Sequence, residues 1–374
     1  MAPTEILARQ HHIGLAPLLE ALGVRSEFLS GSLSAAHKRQ IHTAIEAGEA
    51  EVVIGTHAVI SAAVTFRRLG LAVVDEQHRF GVGQRAALQA KGAGLEPHLL
   101  ALTATPIPRT LALTFYGDLS ISTIREMPPG RRTIRTEIRN RAALPKIEAF
   151  LASEAAAGRQ SFVVVPLVAE SEALSAASAE AEFERLRAAL PDLRIGLVHG
   201  QQKADSRDIT MAAFAAGELD LLVATTVIEV GIDVPNASVM LIEDADRFGL
   251  AQLHQLRGRV GRGDQQSFCI LLTDAVDDRS RERLEVVRGS SDGFEIAEAD
   301  LRLRGAGNVL GTRQSGLPPL KVASLFEPRH LVLAERAGTL ARSLVSADPA
   351  LASRPELVRL RDDLASAEDE GDAA

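Results

Sequence analysis

The amino-acid sequence predicts an α/β protein with two successive parallel-sheet lobes and a helical tail. Short apolar segments alternate with longer amphipathic ones up to about residue 273, which is the pattern of parallel strands joined by helices. The stretch Met127–Arg132 holds two prolines and a glycine beside charged residues, and this composition indicates a stiff hinge. Beyond Asp274 the alternation stops. We therefore expect three domains, at residues 1–128, 129–275 and 276–374.

The first lobe opens on a helix-start signal. Pro3 and Thr4 precede an amphipathic stretch, so Thr4 is the expected N-cap of a helix over Glu5–Leu22. Apolar periodicity then predicts, in chain order, helix Ser34–Ala47, strand Ala50–Gly55, strand Leu71–Asp75, a helix near Val82–Ala90 and strand Leu99–Thr103. In such a sheet the loops after the strands line one edge, where ligands bind.

The second lobe repeats the alternation. Its expected elements are strand Thr133–Ile138, helix Ala143–Ala157, strand Ser161–Pro166, helix Glu172–Ala189, strand Ile195–Val198, helix Ala204–Ala215, strand Leu219–Ala224, strand Ala237–Glu243, helix Leu250–Arg257 and strand Phe268–Thr273. The Ala- and Glu-rich composition of residues 172–189 predicts a solvated helix rather than a site. In the tail we expect helices Arg279–Arg288, Phe294–Arg304 and Leu320–Val345, with a glycine-rich loop from Gly305 to Gly316.

Composition restricts the classes of function. The net charge of −8 gives no wholesale attraction to nucleic acid, so any DNA contact must come from local basic patches. Aromatic residues make up 3% of the chain and tryptophan is absent, which leaves few residues for stacking on bases. The single cysteine, Cys269, lies in an apolar run and is expected to be packed. No apolar segment approaches the roughly 20 residues that cross a bilayer, and the expected location is the cytoplasm.

The stretch Leu71–Arg79 reads LAVVDEQHR and carries the first candidate chemistry. Four apolar residues run directly into Asp75 and Glu76, which predicts a buried strand that presents carboxylates at its C-terminal edge. Two adjacent carboxylates there can divide the work, because Asp75 can hold Mg²⁺ while Glu76 activates a water molecule. The alternative is a structural acidic pair at a turn, which short motifs alone do not exclude.

The stretch Gln255–Arg262 reads QLRGRVGR and carries the second candidate chemistry. Arg259 and Arg262 are expected to lie on a glycine-containing turn of a helix. Arginine neutralises a transferring phosphoryl group well, because its guanidinium is always charged and matches phosphate oxygens bidentately. A solvated basic helix end is the alternative interpretation.

These two stretches occur in one chain with Thr103-Ala104-Thr105 and with Val223–Pro235. In this order they resemble the motifs of superfamily 2 helicase motors, and most closely those of the RecG family of branch-migrating DNA helicases. The resemblance covers essentially the whole chain. It implies two RecA-like lobes, the first truncated at its N-terminus, followed by a helical hairpin and translocation region.

The resemblance implies that ATP with Mg²⁺ binds between the lobes. Asp75 would bind the metal, Glu76 would activate water, and Arg259 and Arg262 would stabilise the transition state. Further nucleotide contacts are implied for His78, Gly231, Asp233 and Gln255.

The resemblance also implies contacts with DNA or coupling between DNA and nucleotide. The residues implied in the two lobes are Pro3, Thr4, Thr56, His57, Thr103, Thr105, His199, Gly200, Thr225 and Thr226. Hydroxyls and backbone N–H groups at helix starts are suited to phosphate. In the tail, the stretch from Phe294 to Gly316 resembles the family's translocation motif, and the residues implied there are Arg304, Arg313 and Gln314.

One feature of these motors is absent from the sequence. Their phosphate-binding loop needs Gly-Lys followed by Ser or Thr, and no lysine of the chain follows a glycine or precedes Ser or Thr. The expectation is that the N-terminal part of a longer protein, with the P-loop and a fork-binding wedge domain, is missing here. The chain alone is therefore expected to be inactive.

The leading hypothesis is a monomeric, ATP-dependent double-stranded DNA translocase that remodels stalled forks and branched junctions, by fork regression and Holliday junction branch migration, in recombination and repair. Its expected partners are branched or forked double-stranded DNA and a single-stranded-DNA-binding protein, with no membrane. A catalytically silent fragment that binds DNA weakly is one alternative. The motor of a transcription-repair coupling factor is another, which DEQH and Phe115–Asp118 disfavour.

Overall fold

The computed structural model describes most of the chain. The described residues are 1–77, 80, 84, 87–88, 90–92, 96–104, 121–124, 126, 132–166, 172–229, 234–274, 277–304 and 328–362. Two compact units are distinguished, Met1–Pro106 with Met127–Asp300 and Ile107–Glu126 with Leu301–Ala374. Most of the expected helix near Val82–Ala90 and, apart from Arg132, the expected hinge lie outside the described residues.

The first lobe has helices and strands close to the predicted positions. Its elements are α1 (Glu5–Ala21), β1 (Ser26–Leu29), α2 (Ala35–Ala47), β2 (Val52–Gly55), β3 (Leu71–Val74) and β4 (His98–Ala101). Thr4 is the N-cap of α1, as predicted, and its hydroxyl accepts a hydrogen bond from the Leu7 N–H. Ser34 caps α2 in the same way. Strand β1 is an element that the sequence pattern did not reveal.

The strands of the first lobe form two parallel pairs, β1 with β2 and β3 with β4. The first two residues of the chain connect the pairs. The Ala2 N–H donates to the Gly55 carbonyl at 2.9 Å, and the Asp75 N–H donates to the Met1 carbonyl at 3.0 Å. The Met1 amino group donates to the Val73 carbonyl at 2.7 Å. The structure therefore has two strand pairs where we expected one doubly wound sheet. Within the described part of the chain, the bonds between β2 and β3 come only from the backbone of Met1 and Ala2.

The second lobe is built on a six-stranded, all-parallel sheet in the order β5-β10-β9-β6-β8-β7. Its elements are β5 (Arg135–Arg139), α3 (Leu144–Ala156), β6 (Gln160–Val164), α4 (Glu172–Ala189), β7 (Ile195–Val198), α5 (Ala204–Ala215), β8 (Leu221–Ala224), β9 (Ala237–Ile242), α6 (Leu250–Arg257) and β10 (Phe268–Leu272). The central strands are buried along their whole length, as is typical of parallel strands with both faces covered. This sheet confirms the predicted α/β fold class.

Two expectations about packing had different outcomes. Helix α4 is not simply solvated as predicted, because Ser175, Ala176, Ala179 and Leu186 are buried on one of its faces, and Leu186 belongs to the core of the second lobe. Small alanines pack as closely as large apolar residues, so composition alone concealed that face. Cys269 is buried on β10 as expected, and burial raises the pKa of its thiol to about 12.

The tail contains helices, as predicted. Helix α7 spans Asp278–Gly289, α8 spans Gly293–Arg304 and α9 spans Pro328–Ala347. The first residues of the third expected helix and the loop Gly305–Gly316 lie outside the described residues. Among the helices that the structure describes, none is both long and apolar enough to cross a membrane.

Candidate functional site

The carboxylate of Asp75 is held at the C-terminal end of β3 by two hydrogen bonds. Its Oδ1 accepts from the Glu76 N–H at 2.9 Å, and its Oδ2 lies 2.8 Å from His11 Nε2 on α1. The bond to His11 is the largest cause of a lowered pKa for Asp75. Asp75 is therefore ionised at neutral pH and fixed in orientation.

The next two residues turn the chain away from β3 in a strained conformation. Glu76 has φ 52°, in the left-handed region that non-glycine residues rarely adopt, and such strain is often found at functional sites. Both Glu76 and Gln77 are buried. The Gln77 N–H donates to the Leu102 carbonyl at 2.9 Å. This bond places the Asp75–Gln77 turn beside Thr103, which is exposed after β4.

The residues present fit the Mg²⁺ that the sequence resemblance implies. An ionised carboxylate at the end of a strand is the hard oxygen ligand that Mg²⁺ takes, and Mg²⁺ usually binds through one or two carboxylates plus substrate phosphates. Asp75 is half-buried, so one side of its carboxylate remains accessible. The next residue along the chain, Glu76, carries a second carboxylate and is buried.

The arginine half of the site follows helix α6 in the second lobe. The helix ends at Arg257, so Arg259 and Arg262 lie beyond it and not on a helical turn as predicted. Gly261 between them has φ 77°, and a Cβ there would lie 2.9 Å from Ile134 Cγ1. The left-handed Gly261 turns the backbone just before Arg262. The Arg262 side chain is exposed, and its Nε donates to the Gly258 carbonyl at 3.3 Å. Gln255, on α6, is half-buried.

The candidate DNA contacts of the first lobe differ in accessibility. Pro3 and Thr4 are half-buried at the start of α1, and His57 is exposed after β2. Thr56 is buried, and its hydroxyl has no hydrogen-bond partner among the described residues. His57 and Thr103 are therefore the members of this set best placed for a ligand.

The candidates of the second lobe follow β7 and β8 at one edge of the sheet. His199 is buried with its Nε2 3.5 Å from Glu180 Oε1, and Thr225 is also buried. Gly200 is exposed and Thr226 is half-buried. The adjacent pairing of β7 with β8 brings these residues to neighbouring strand ends.

Several candidates cannot be placed. His78, Thr105, Gly231, Asp233, Arg313 and Gln314 lie outside the described residues. Arg304 is the last residue of α8. Their implied roles stay predictions, as do the roles of the residues that the structure does describe.

The sequence interpretation missed His11. Its bond to Asp75 joins residues 64 positions apart, and a histidine within an amphipathic helix carries no local sign of such a partner. The candidate site therefore includes a side chain from α1 that no motif indicated.

Comparisons with families of known proteins match three parts of the chain. Residues 1–114 match the DEAD/DEAH box helicase family, and residues 142–264 match the helicase conserved C-terminal domain. Residues 290–368 match the C-terminal domain 3 of the ATP-dependent DNA helicase RecG.

Curated relatives extend the match along the whole chain. The ATP-dependent DNA helicase RecG of Synechocystis is 49% identical over 96% of this chain and 43% of its own length. The protein of the same name from Bacillus subtilis is 44% identical over 97% of this chain and 53% of its own length. The chain thus spans about half the length of the curated relatives it matches.

Solved structures agree with the sequence comparisons. A RecG bound to a three-way DNA junction is similar with a TM-score of 0.73 and 39% identity, over 90% of this chain and 43% of that one. A variant of the yeast protein Dbp5, bound to RNA and ADP BeF3, has a TM-score of 0.56 at 17% identity, over 79% of this chain and 74% of that one, and supports the fold alone.

Proposed function

The chain belongs, by homology over most of its length, to the family of RecG ATP-dependent DNA helicases, and from this premise we propose that it is the motor portion of an ATP-dependent translocase that acts on branched DNA. A similar structure is described as RecG bound to a three-way junction. The physiological tasks proposed are fork regression and branch migration of Holliday junctions in recombination and repair. We further propose that the protein works as a monomer in the cytoplasm, with a single-stranded-DNA-binding protein as a partner.

The single observation that carries the proposal is the state of Asp75. Its carboxylate is ionised, half-buried and oriented by two hydrogen bonds, next to a buried and strained Glu76. This arrangement suits a metal ligand beside a group that orients water, as phosphoryl-transfer sites require.

Each residue has a defined task in this proposal. Asp75 holds Mg²⁺, which when bound with ATP neutralises charge on the phosphates. Glu76 accepts a proton from the attacking water. Arg259 and Arg262 donate hydrogen bonds to the phosphate oxygens on which charge accumulates. Gln255 and, outside the described residues, His78, Gly231 and Asp233 are the remaining proposed nucleotide contacts.

The proposed DNA contacts lie at strand ends and helix starts. His57, Thr103, Gly200 and Thr226 are accessible there, and backbone N–H groups at such positions suit phosphate. Because the net charge of the chain is −8, we expect its binding to DNA to depend on a small number of phosphate contacts. The affinity should fall as the salt concentration rises, in proportion to that number of contacts.

The experiment measures ATP hydrolysis and forked-DNA binding by the chain, with and without nucleotide. We expect no turnover, because no lysine here follows glycine and precedes Ser or Thr, but salt-dependent binding to a fork and to a linear duplex of equal length. Nucleotide should change the affinity for DNA, and Asp75→Asn or Arg262→Ala should remove the nucleotide effect. The exposed Arg187→Ala is the matched control and should behave like the wild type.

The other outcomes are equally informative. DNA-stimulated turnover that Asp75→Asn abolishes would support the motor and overturn the P-loop requirement. DNA binding that does not respond to nucleotide would contradict the proposal and favour a catalytically silent fragment that binds DNA weakly.

A further inference from the structure

The candidate metal ligand Asp75 is held by three different segments of the chain. The Met1 carbonyl accepts its backbone N–H at 3.0 Å. The Glu76 N–H donates to Oδ1 at 2.9 Å, and His11 Nε2 lies 2.8 Å from Oδ2. Of these contacts, the bond to His11 is the one made by a side chain. It alone can be removed without changing the backbone of the turn.

The direction of this hydrogen bond follows from the chemistry of its partners. An ionised carboxylate has no proton to donate, so Nε2 of His11 must carry the hydrogen. The bond therefore requires either the Nε2–H tautomer or the imidazolium. A glutamine amide could donate a similar hydrogen bond, whereas an alanine could not.

A cap and a buried residue fix the position of helix α1 near His11. Thr4 caps its first turn, and Ala8, one turn before His11, is completely buried. His11 itself is half-buried. The neighbouring His12 packs against Phe28, with ring centroids 5.6 Å apart. The two adjacent histidines thus point at different partners from one helix.

We propose that His11 is a positioning residue of the nucleotide site, which orients the Asp75 carboxylate for its metal from helix α1. The proposal rests on the proposed function, because it concerns the same site. A polar contact that is partly open to solvent contributes little to stability. The effect of His11 is therefore expected on metal binding and not on folding. Partners that orient a metal ligand typically change metal affinity by about 10- to 100-fold when they are removed.

The first measurement is the affinity of the full chain for Mn²⁺·ADP, followed through the electron paramagnetic resonance signal of free Mn²⁺. His11→Ala should weaken binding about tenfold, and His11→Gln should restore most of the loss. His12→Ala, which removes the same ring one position along α1, is the matched control and should bind like the wild type. Once Asp75→Asn is present, His11→Ala should have no further effect.

The second measurement needs no nucleotide. In histidine-selective ¹⁵N spectra of the full chain, Nε2 of His11 should carry a proton, and its resonance should move when Asp75 is changed to Asn. His12 should be unaffected by that change.

Each result decides something. Wild-type affinity in His11→Ala, or an equal loss in His12→Ala, would overturn the positioning role. A His11 resonance that does not move in Asp75→Asn would also overturn the positioning role, whether or not the chain binds Mn²⁺·ADP. A third result is also possible: the His11 resonance moves in Asp75→Asn, but the wild-type chain has no affinity for Mn²⁺·ADP. That result would contradict the proposed function, and His11 would then be a structural contact only.

Discussion

Among single residues, Glu243 is a carboxyl group whose surroundings favour the protonated form. It follows β9, the residue is 3% exposed, and Oε1 has no hydrogen-bond partner among the described residues. Arg141 Nη1 lies 3.2 Å from Oε2 and partly offsets the burial. Burial is nevertheless the dominant cause, and it raises the pKa of Glu243 to about 7; the charges of Glu182 and Asp244 add to the increase, and Arg185 opposes it.

This pKa predicts a loss of stability as the pH rises. The carboxyl of an unfolded chain titrates near pH 4.5, so between that pH and 7 the folded chain binds more protons than the unfolded one. The contribution of Glu243 to the free energy of unfolding is fully present below pH 4.5. It is lost as the pH rises through 7, and the loss is at most about 3 kcal/mol. Glu243→Gln should remove the dependence, as measured by urea unfolding at pH 5 and pH 8.

The control for this prediction is Glu184→Gln. Glu184 is exposed and pairs with Arg187 on the surface of α4, so its replacement should leave the pH profile unchanged. Equal slopes for the wild type and Glu243→Gln would show that Glu243 ionises normally in the folded protein.

Two arginines near α6, Arg257 and Arg262, should differ in how much their replacement changes the stability of the protein. Arg257 is buried, and its guanidinium donates to the carbonyls of Val287 and Ser290. Arg257→Ala leaves these carbonyls unsatisfied and should lower the free energy of unfolding by about 2–4 kcal/mol. Arg262→Ala, at an exposed side chain, should change it by no more than about 0.5 kcal/mol. Thermal melting of both variants tests the contrast, and similar losses would contradict it.

At the scale of elements, helices were predictable where the apolar periodicity is clear. Helices α4, α5 and α6 have the predicted bounds, and Thr4 is the predicted cap of α1. Ser34, expected as the first residue of its helix, is instead the cap one residue before α2. Strand β1 escaped prediction because Ser26–Leu29 is short and mixes polar with apolar residues. Contacts across the fold were not predictable, since His11 with Asp75 and Arg141 with Glu243 join distant segments and each needs the packed structure to bring it together.

The pairing of β1 with β2 depends on a glycine. Gly55 lies opposite Leu29 in the parallel register, and a Cβ at Gly55 would lie 2.0 Å from the Leu29 carbonyl oxygen. Gly55→Ala must therefore push the two strands apart, and we expect a loss of about 1–3 kcal/mol in the free energy of unfolding.

Gly14→Ala is the matched control for this substitution. Gly14 lies inside α1, and a Cβ there would meet no atom of the described residues within 4 Å, so alanine should stabilise the helix by about 0.5–1 kcal/mol. Chemical denaturation of both variants should give opposite signs. A neutral Gly55→Ala would show that β1 can move without cost.

At the scale of the whole molecule, the first lobe exposes one face of its β3–β4 pair. Leu71, Val73, Leu100 and Leu102 are exposed, while alternate residues pack against Phe80 and Leu88 in a small core. Contiguous exposed apolar surface and unpaired strand edges favour association between molecules. Such a face should make the isolated first lobe poorly soluble.

We therefore predict that a fragment of residues 1–127 aggregates when it is prepared alone. Light scattering should show large particles at micromolar concentration, and a hydrophobic dye should bind. A monodisperse fragment with a cooperative melting transition would contradict the prediction.

The hydrogen bonds of Met1 and Ala2 have a mechanical consequence for the first lobe. A pulling force on the amino terminus is borne first by the bonds to Gly55, Val73 and Asp75. Once they break, β2 and β3 lose the backbone bonds that connect them through these two residues, and the Asp75 N–H loses its acceptor. A disturbance of the first two residues would thus reach the backbone of the candidate metal ligand while the hydrogen bonds within each strand pair are still in place.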